Sequence, residues 1–147
     1  MRKTIFLLPL FGFALAQPAW ADGIVTFDSK QLPREALAFL QRHFPEAQIS
    51  HIKIEKDFLR INKYEVLLTD RTEVEFDRDG AWMEVDCDHM QVPSALLPSY
   101  VSAYVEKHFG GAMVVKLERK RKGMEVDLDN DISLTFNHKG KLIEIDD

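Results

Sequence analysis

The chain has 147 residues, of which 46% are hydrophobic and 29% charged, with a formal net charge of −5 and one cysteine. This composition is that of a globular protein and excludes disordered and collagen-like chains. The acidic balance argues against nucleic acid as a partner, because phosphate binding needs a clustered positive surface. One cysteine cannot form an internal disulfide or a CxxC metal or redox site.

The N-terminal segment is typical of a secretory signal peptide. Arg2 and Lys3 give it a positive start, and residues 5–16 form an apolar run. Ala19 and Ala21 then supply the small residues that an export cleavage site needs at its −3 and −1 positions. The run is shorter than the roughly 20 residues that a membrane-spanning helix needs, so no stable membrane insertion is expected. We expect a periplasmic or secreted chain after removal of residues 1–21 by cleavage near Ala21. Loss of Arg2 and Lys3 would change the formal net charge from −5 to −7.

Two parts of the remaining chain resemble each other. Residues 32–52 align without gaps with residues 97–117, and residues 64–86 align with residues 124–146. The shared positions include Leu32-Pro33 with Leu97-Pro98, His43-Phe44 with His108-Phe109, Phe76 with Phe136, and Gly80 with Gly140. The pattern predicts a tandem duplication: repeat 1 over residues 32–86, a linker over 87–96, and repeat 2 over 97–147. Residues 22–31 fit either a leading strand or a linker.

Each repeat is expected to begin with a helix. Pro33 and Pro98 stand where a first helical turn tolerates the missing N–H group. Apolar residues then recur at helical spacing, which predicts one buried stripe per helix: Ala36, Phe39, Leu40 and Phe44 in the first, and Val101, Tyr104, Val105 and Phe109 in the second. Pro45 ends the first helix and Gly110-Gly111 the second.

After each helix the apolar residues alternate with polar ones, which predicts strands. Tyr64, Val66 and Leu68 fall on one side, and Asp79-Gly80 is a strong hairpin signal. The predicted fold class is therefore α+β, a tandem duplication in which each unit packs one helix on a roughly four-stranded antiparallel sheet. The opposite face of each sheet would contact water.

A family resemblance follows from these motifs. Leu32-Pro33, His43-Phe44-Pro45, Tyr64-Glu65-Val66 and Gly80-Ala81-Trp82, in this order, resemble the PepSY-like, beta-lactamase-inhibitor-like exported proteins of Bacteroidota. The second segment departs from this pattern at two positions. It has Gly110 where the first segment has Pro45, and Met124 where the first has Tyr64. The resemblance implies a helix-plus-sheet fold in the cell envelope and a function in binding proteins, and it supplies no catalytic motif.

The water-facing side of the first sheet holds the candidate site. A two-residue turn at Asp79-Gly80 would place like charges opposite each other across strands, at Glu75 and Glu84 and at Glu73 and Asp86. One interpretation is a solvated face assisted by His51 and Lys53. The other is an acidic patch around an exposed Trp82 that binds a basic protein surface. Its candidate partner-binding residues are Trp82, Glu73, Glu75, Asp77, Glu84, Asp86 and Leu67.

Three other features of the sequence concern Cys87, the acidic stretch 127–131 and the basic run 119–122. Cys87 is either a buried apolar residue or the link of a disulfide dimer. Residues 127–131 resemble the start of a calcium loop, but Ile132 and His138 replace the glycine and glutamate that an EF-hand needs. The basic run 119–122 is a hairpin tip or a contact for anionic polysaccharide or lipid headgroups. No catalytic residue, metal site or cofactor is predicted.

The sequence thus predicts an exported, non-enzymatic protein-binding module, and an inhibitor or regulator of an envelope hydrolase or protease is the preferred role. The alternative is a periplasmic binder of a divalent cation or small ligand through the acidic sheet face.

Overall fold

The structure, a computed structural model, describes residues 23–147, so the predicted signal peptide lies outside the described residues. The strands are β1 (Gly23–Thr26), β2 (Ile49–Asp57), β3 (Arg60–Leu68), β4 (Glu73–Asp77), β5 (Trp82–Asp86), β6 (Val114–Lys120), β7 (Gly123–Leu128), β8 (Ser133–Asn137) and β9 (Leu142–Asp146). The helices are α1 (Arg34–His43) and α2 (Ser99–His108), with single 3-10 turns at Ser29–Gln31 and Ser94–Leu96. No helix among these residues has the length and hydrophobicity to span a membrane.

All nine strands form one antiparallel sheet in which each strand pairs with its neighbours in sequence. The predicted tandem duplication, with one helix on a separate four-stranded sheet in each unit, is therefore wrong. The finding that overturns it is the pairing of β5 with β6, where Glu84 lies opposite Glu118 and Asp86 opposite Lys116. This pairing makes the sheet continuous. The leading segment is a strand, because β1 pairs with β2.

Both helices cover the same face of the sheet. The rings of Phe39 on α1 and Phe76 on β4 meet edge to face at 5.5 Å, and those of Tyr104 on α2 and Phe136 on β8 do so at 5.6 Å. Beneath the helices runs a fully buried apolar row with one residue from each strand from β2 to β8: Ile52, Val66, Val74, Val85, Leu117, Val126 and Leu134. Burial of this row is the main stabilising term of the fold.

Two hairpin turns touch the helices through glycine. A Cβ atom at Gly80, in the β4–β5 turn, would lie 2.8 Å from the Cβ of Pro33 at the start of α1. A Cβ at Gly140, in the β8–β9 turn, would lie 2.8 Å from the ring of Tyr100 on α2. Both glycines have positive φ, which other residues adopt at a cost. These contacts fix each helix over its hairpins and leave the other face of the sheet uncovered.

Candidate functional site

A row of five glutamates crosses the uncovered face of the sheet. Glu65 lies opposite Glu75, Glu75 opposite Glu84, and Glu84 opposite Glu118. Glu118 in turn lies opposite Glu125. We call Glu65, Glu75, Glu84, Glu118 and Glu125 the glutamate row. Each of them directly adjoins a residue of the buried apolar row in sequence, so the alternation of the strands places every carboxylate on the open face.

Lysines neutralise part of this charge. On β3, the Nζ atom of Lys63 lies 2.8 Å from Oε1 of Glu65 and 3.0 Å from Oε1 of Glu75. Lys53 on β2 also contacts Glu65, at 3.2 Å. Further along, the Nζ atom of Lys116 lies 2.9 Å from Oε1 of Glu84. Lys120 contacts Glu118 and Glu125 near the end of β6. Lys53 lies opposite Glu65 and continues the row on β2, whereas Lys63, Lys116 and Lys120 stand beside the row, so carboxylates remain adjacent at every step across β3–β7.

The pKa shifts follow this arrangement. Burial works to raise the pKa of Glu65, but hydrogen bonds from Lys63 and Lys53 outweigh it and lower that pKa. Burial raises the pKa of Glu84, and the nearby charges of Glu75 and Glu118 add to this effect against the hydrogen bond from Lys116. Burial and like charges thus make the charged form of Glu84 less favourable, whereas ion pairing favours the charged form of Glu65.

A second polar row lies beside the first. Glu73 is opposite Asp86, Asp86 is opposite Lys116, and Lys116 is opposite Asp127. Burial raises the pKa of Glu73, and the charges of Glu65, Glu75 and Asp86 raise it further. Glu73, Asp86 and Asp127 have no ion-pair partner among the described residues, so the charge of this second row is less compensated than that of the glutamate row.

This second row borders a hollow of about 360 Å³. Asp86, Lys116, Asp127 and Asp131 line it, and Ser133 Oγ donates a 2.6 Å hydrogen bond to Asp127. Within residues 23–147, no three His, Cys, Asp or Glu side chains are arranged to hold a metal ion. The hollow is open to solvent, and its lining is acidic apart from Lys116.

The structure brings most of the predicted site residues together. Glu75 faces Glu84 and Glu73 faces Asp86, as the sequence predicts, and Leu67 lies beside them opposite Glu73. Asp77 has a different use, because its Oδ1 accepts hydrogen bonds from the main-chain N–H groups of Asp79 and Ala81. Its carboxylate closes the β4–β5 turn.

Trp82 is the residue whose predicted position is wrong. Trp82 pairs with Phe76 rather than Asp77, because a bulge interrupts the register between Glu75 and Phe76. The bulge turns the indole to the helix side, where it is 9% exposed. Met83, predicted to be apolar core, is 39% exposed instead. The predicted patch therefore has no aromatic centre, and its side chains on the open face are mainly carboxylates.

Sequence reasoning missed Glu65, Glu118 and Glu125. They complete the row only when β5 pairs with β6, and the prediction of two separate sheets hid this continuity. The sequence does contain a signal for the whole row, because each of five successive strands has a glutamate directly next to a core residue. The first such pair is Glu65-Val66 on β3 and the last is Glu125-Val126 on β7.

Three further predictions concern residues around this face. Cys87 is buried and burial raises its pKa to about 11, which disfavours a disulfide dimer through it. The acidic stretch at residues 127–131 ends β7 and forms the β7–β8 turn. Arg121 and Lys122 form the tip of the β6–β7 hairpin, whereas Arg119 lies over the Trp82 ring at 3.9 Å.

Comparison with known proteins confirms the family resemblance. Residues 62–144 match the family model described as "Putative beta-lactamase-inhibitor-like, PepSY-like". None of the curated proteins matches the chain.

Three solved structures of similar proteins come from two species of Bacteroides. A "putative periplasmic protein of unknown function" from Bacteroides vulgatus is 37% identical, with a TM-score of 0.80 over 85% of this chain and 99% of that one. A "putative calcium-regulated periplasmic protein" from Bacteroides thetaiotaomicron is 40% identical, with a TM-score of 0.80 over 86% and 98%. Another periplasmic protein of B. vulgatus, also described as putative, is 32% identical, with a TM-score of 0.78 over 86% and 98%. The chain therefore belongs to the PepSY-like, beta-lactamase-inhibitor-like family.

Proposed function

We propose that the chain is a non-enzymatic protein-binding module of the cell envelope that binds a basic protein surface through its open sheet face. The observation that carries this proposal is the glutamate row. Carboxylates directly opposite each other on neighbouring strands repel, which lowers stability unless another group neutralises them. Lysines of the chain itself contact every glutamate of the row, but only four lysines do so for five glutamates. Glu73 and Asp86 beside the row form no ion pair among the described residues, and lysine or arginine side chains of a partner would neutralise this remaining charge on binding.

The setting of the row supports specificity as well as attraction. The row's side chains are only partly exposed, for example 23% at Glu75 and 21% at Glu84, so they are screened less than fully solvated charges. Such electrostatic complementarity accelerates encounter and selects partners by charge. In agreement with the family's inhibitor-like description, we propose an envelope hydrolase or protease that the module inhibits or regulates as the partner class.

Affinity capture tests this proposal. The purified chain of residues 22–147, which contains all the described elements, is immobilised and exposed to envelope extract at low and high salt. Replacing Glu75, Glu84 and Glu118 with Gln removes three charges from the row while keeping side-chain size. The matched control replaces Glu35, Glu46 and Glu106 with Gln, since these three are exposed and away from the strands.

We expect proteins with basic surfaces to be retained by the wild type and the control and lost by the row variant and at high salt. Hydrolytic activity of the retained fraction, measured with and without added chain, then tests inhibition. Equal recovery by the row variant and the control variant would contradict the proposal.

A second candidate function is divalent-cation binding, and one observation favours it: a relative 40% identical to this chain is described as calcium-regulated. Residues 23–147 contain no cluster of three side chains arranged for a metal ion, but the hollow beside Lys116 has carboxylates from Asp86, Asp127 and Asp131 and is the place to test. Calcium binds oxygen ligands, carboxylates above all.

Calorimetric titration with calcium chloride separates this candidate from protein binding. Micromolar affinity that is lost on replacing Asp86 and Asp127 with Asn would place calcium in the hollow. Loss on replacing Glu75 and Glu84 with Gln would place it on the glutamate row. Absence of binding heat in the wild type would reject the candidate.

A further inference from the structure

The β2–β3 hairpin projects beyond its neighbours in the sheet. Glu55 is the last residue of β2 that pairs with β1, and Lys63 is the first residue of β3 that pairs with β4. Within residues 23–147, no strand outside the hairpin itself therefore lies beside residues 56–62. We call this segment the hairpin arm. At its tip, Asp57 pairs with Arg60 around a two-residue turn.

The turn carries two fully exposed apolar side chains. Phe58 is 97% exposed and Leu59 is 98% exposed. Phe58 also has a φ of 55°, at the turn position where glycine is preferred. A bulky residue at positive φ lowers stability, and the exposed ring does not offset this cost through hydrophobic burial. Neither side chain contributes to the buried core, and an exposed apolar pair of this kind is typical of a surface that contacts a ligand or membrane.

Charge is distributed unevenly between the two ends of the sheet. Because the strands alternate in direction, the β2–β3, β4–β5, β6–β7 and β8–β9 turns all lie at one end, which we call the hairpin end. Cations predominate there: Lys56, Arg60, Arg78, Lys120, Arg121, Lys122, Lys139 and Lys141, against Asp57, Asp77 and Asp79. The two short turns at the opposite end, β3–β4 and β7–β8, are mainly acidic, with Asp70, Asp129 and Asp131 against Arg71.

The cations of the hairpin end are available to a ligand. Among the described residues, Arg121, Lys122, Lys139 and Lys141 form no ion pair, and all four are exposed. The imidazole Nε2 of His138 lies 2.9 Å from the main-chain oxygen of Arg121, which connects the β6–β7 and β8–β9 tips. A hollow of about 770 Å³ lies between the hairpin arm and the β4–β5 turn, lined by Phe58, Arg60 and Arg78 among others.

We propose that the hairpin end docks on a lipid bilayer with anionic headgroups. Phe58 and Leu59 enter the boundary between headgroups and acyl chains, while the lysines and arginines contact phosphate groups. A soluble polyanion would use the cations alone and leave both apolar side chains in water. The combination of cations and an apolar tip matches the membrane interface, and the periplasmic relatives belong to a compartment bounded by membranes.

Vesicle co-sedimentation tests the docking, with the chain of residues 22–147 so that the apolar N-terminal segment does not contribute. The vesicles contain phosphatidylcholine alone or with about 30% phosphatidylglycerol. We expect binding to the anionic vesicles only, and loss of that binding at high salt. Phe58→Asn with Leu59→Ser should weaken it about tenfold or more. Asn tolerates the positive φ of the turn, so this variant should fold at least as well as the wild type.

A charge variant and its control complete the test. Replacing Arg121, Lys122, Lys139 and Lys141 with Gln should weaken binding about a hundredfold. Replacing Lys30, Arg34, Arg42 and Lys107 with Gln changes the net charge equally and should leave binding within about twofold. Lack of binding by the wild type would overturn the proposal. Equal binding to neutral vesicles, or unchanged binding by Phe58→Asn with Leu59→Ser, would also overturn it, the latter favouring a soluble polyanion.

Discussion

The bulge between β4 and β5 moves the side chain of Trp82 from the open face of the sheet to the buried side. Its ring lies 6.1 Å from that of Phe39 between centroids, and the guanidinium carbon of Arg119 lies 3.9 Å above it. Arg119 Nη1 also donates a hydrogen bond of 3.3 Å to the Trp82 main-chain oxygen. The alternation of the sequence predicts an open-face indole. The bulge that reverses it depends on packing against α1, which strand periodicity does not encode.

Replacing Trp82 with Ala is therefore expected to destabilise the fold. Removal of a buried indole leaves a cavity beneath α1, and such changes cost about 3–5 kcal/mol. Urea unfolding monitored by circular dichroism measures the free energy of unfolding. Met83→Ala is the control, because Met83 is exposed and should change that free energy by less than about 1 kcal/mol. A Trp82→Ala variant as stable as Met83→Ala would mean that the indole is not part of the core.

At the scale of elements, the contact between the β4–β5 turn and α1 is testable through glycine. Gly80 and Gly111 have nearly the same φ, 91° and 90°. A Cβ at Gly80 would meet Pro33, whereas a Cβ at Gly111 would meet nothing within 4 Å. Ala at either position incurs the cost of positive φ, about 1–2 kcal/mol, but only Gly80→Ala also displaces the helix.

We expect Gly80→Ala to lower the melting temperature clearly more than Gly111→Ala, as measured by calorimetry. The difference between the two variants isolates the steric contact from the backbone strain. Equal melting temperatures would show that the turn does not press on α1.

Local signals predicted most elements correctly. Pro33 and Pro98 directly precede the two helices, and Asp79-Gly80 predicted the pairing of Glu75 with Glu84. The pairing of β5 with β6 was not predictable in the same way, because a 27-residue segment with a helix separates them instead of a turn. Cys87 N–H donates to the Val115 oxygen at 2.8 Å, so long-range contacts set this register. The full glutamate row depends on it.

For the whole molecule, the open face makes stability depend on pH in two opposite ways. The pKa of Glu73 is raised by folding, so its favourable contribution is present below its unfolded pKa of about 4.3 and is lost as pH rises through the folded value. The pKa of Glu65 is lowered, so its contribution is present above the unfolded pKa and is lost as pH falls through the folded value.

Two isosteric variants should therefore respond with opposite sign. At pH 7, Glu73→Gln should stabilise the chain by up to about 1 kcal/mol, and Glu65→Gln should destabilise it by a similar amount. The gain from Glu73→Gln should disappear below about pH 4, where the wild-type carboxyl is protonated. Chemical unfolding at both pH values measures these differences. Destabilisation by Glu73→Gln at pH 7 would contradict the repulsion that underlies the proposed binding face.

Carboxyl footprinting of the captured complex tests the central claim most directly. Carbodiimide-activated amidation followed by mass spectrometry reports the accessibility of each Asp and Glu with and without the partner. The account predicts that labelling decreases at Glu75, Glu84 and Glu118 in the complex and stays unchanged at Glu35, Glu46 and Glu106. Protection of Glu35, Glu46 and Glu106 with unchanged labelling of the glutamate row would show that the partner binds the other face, and would contradict the proposed binding face.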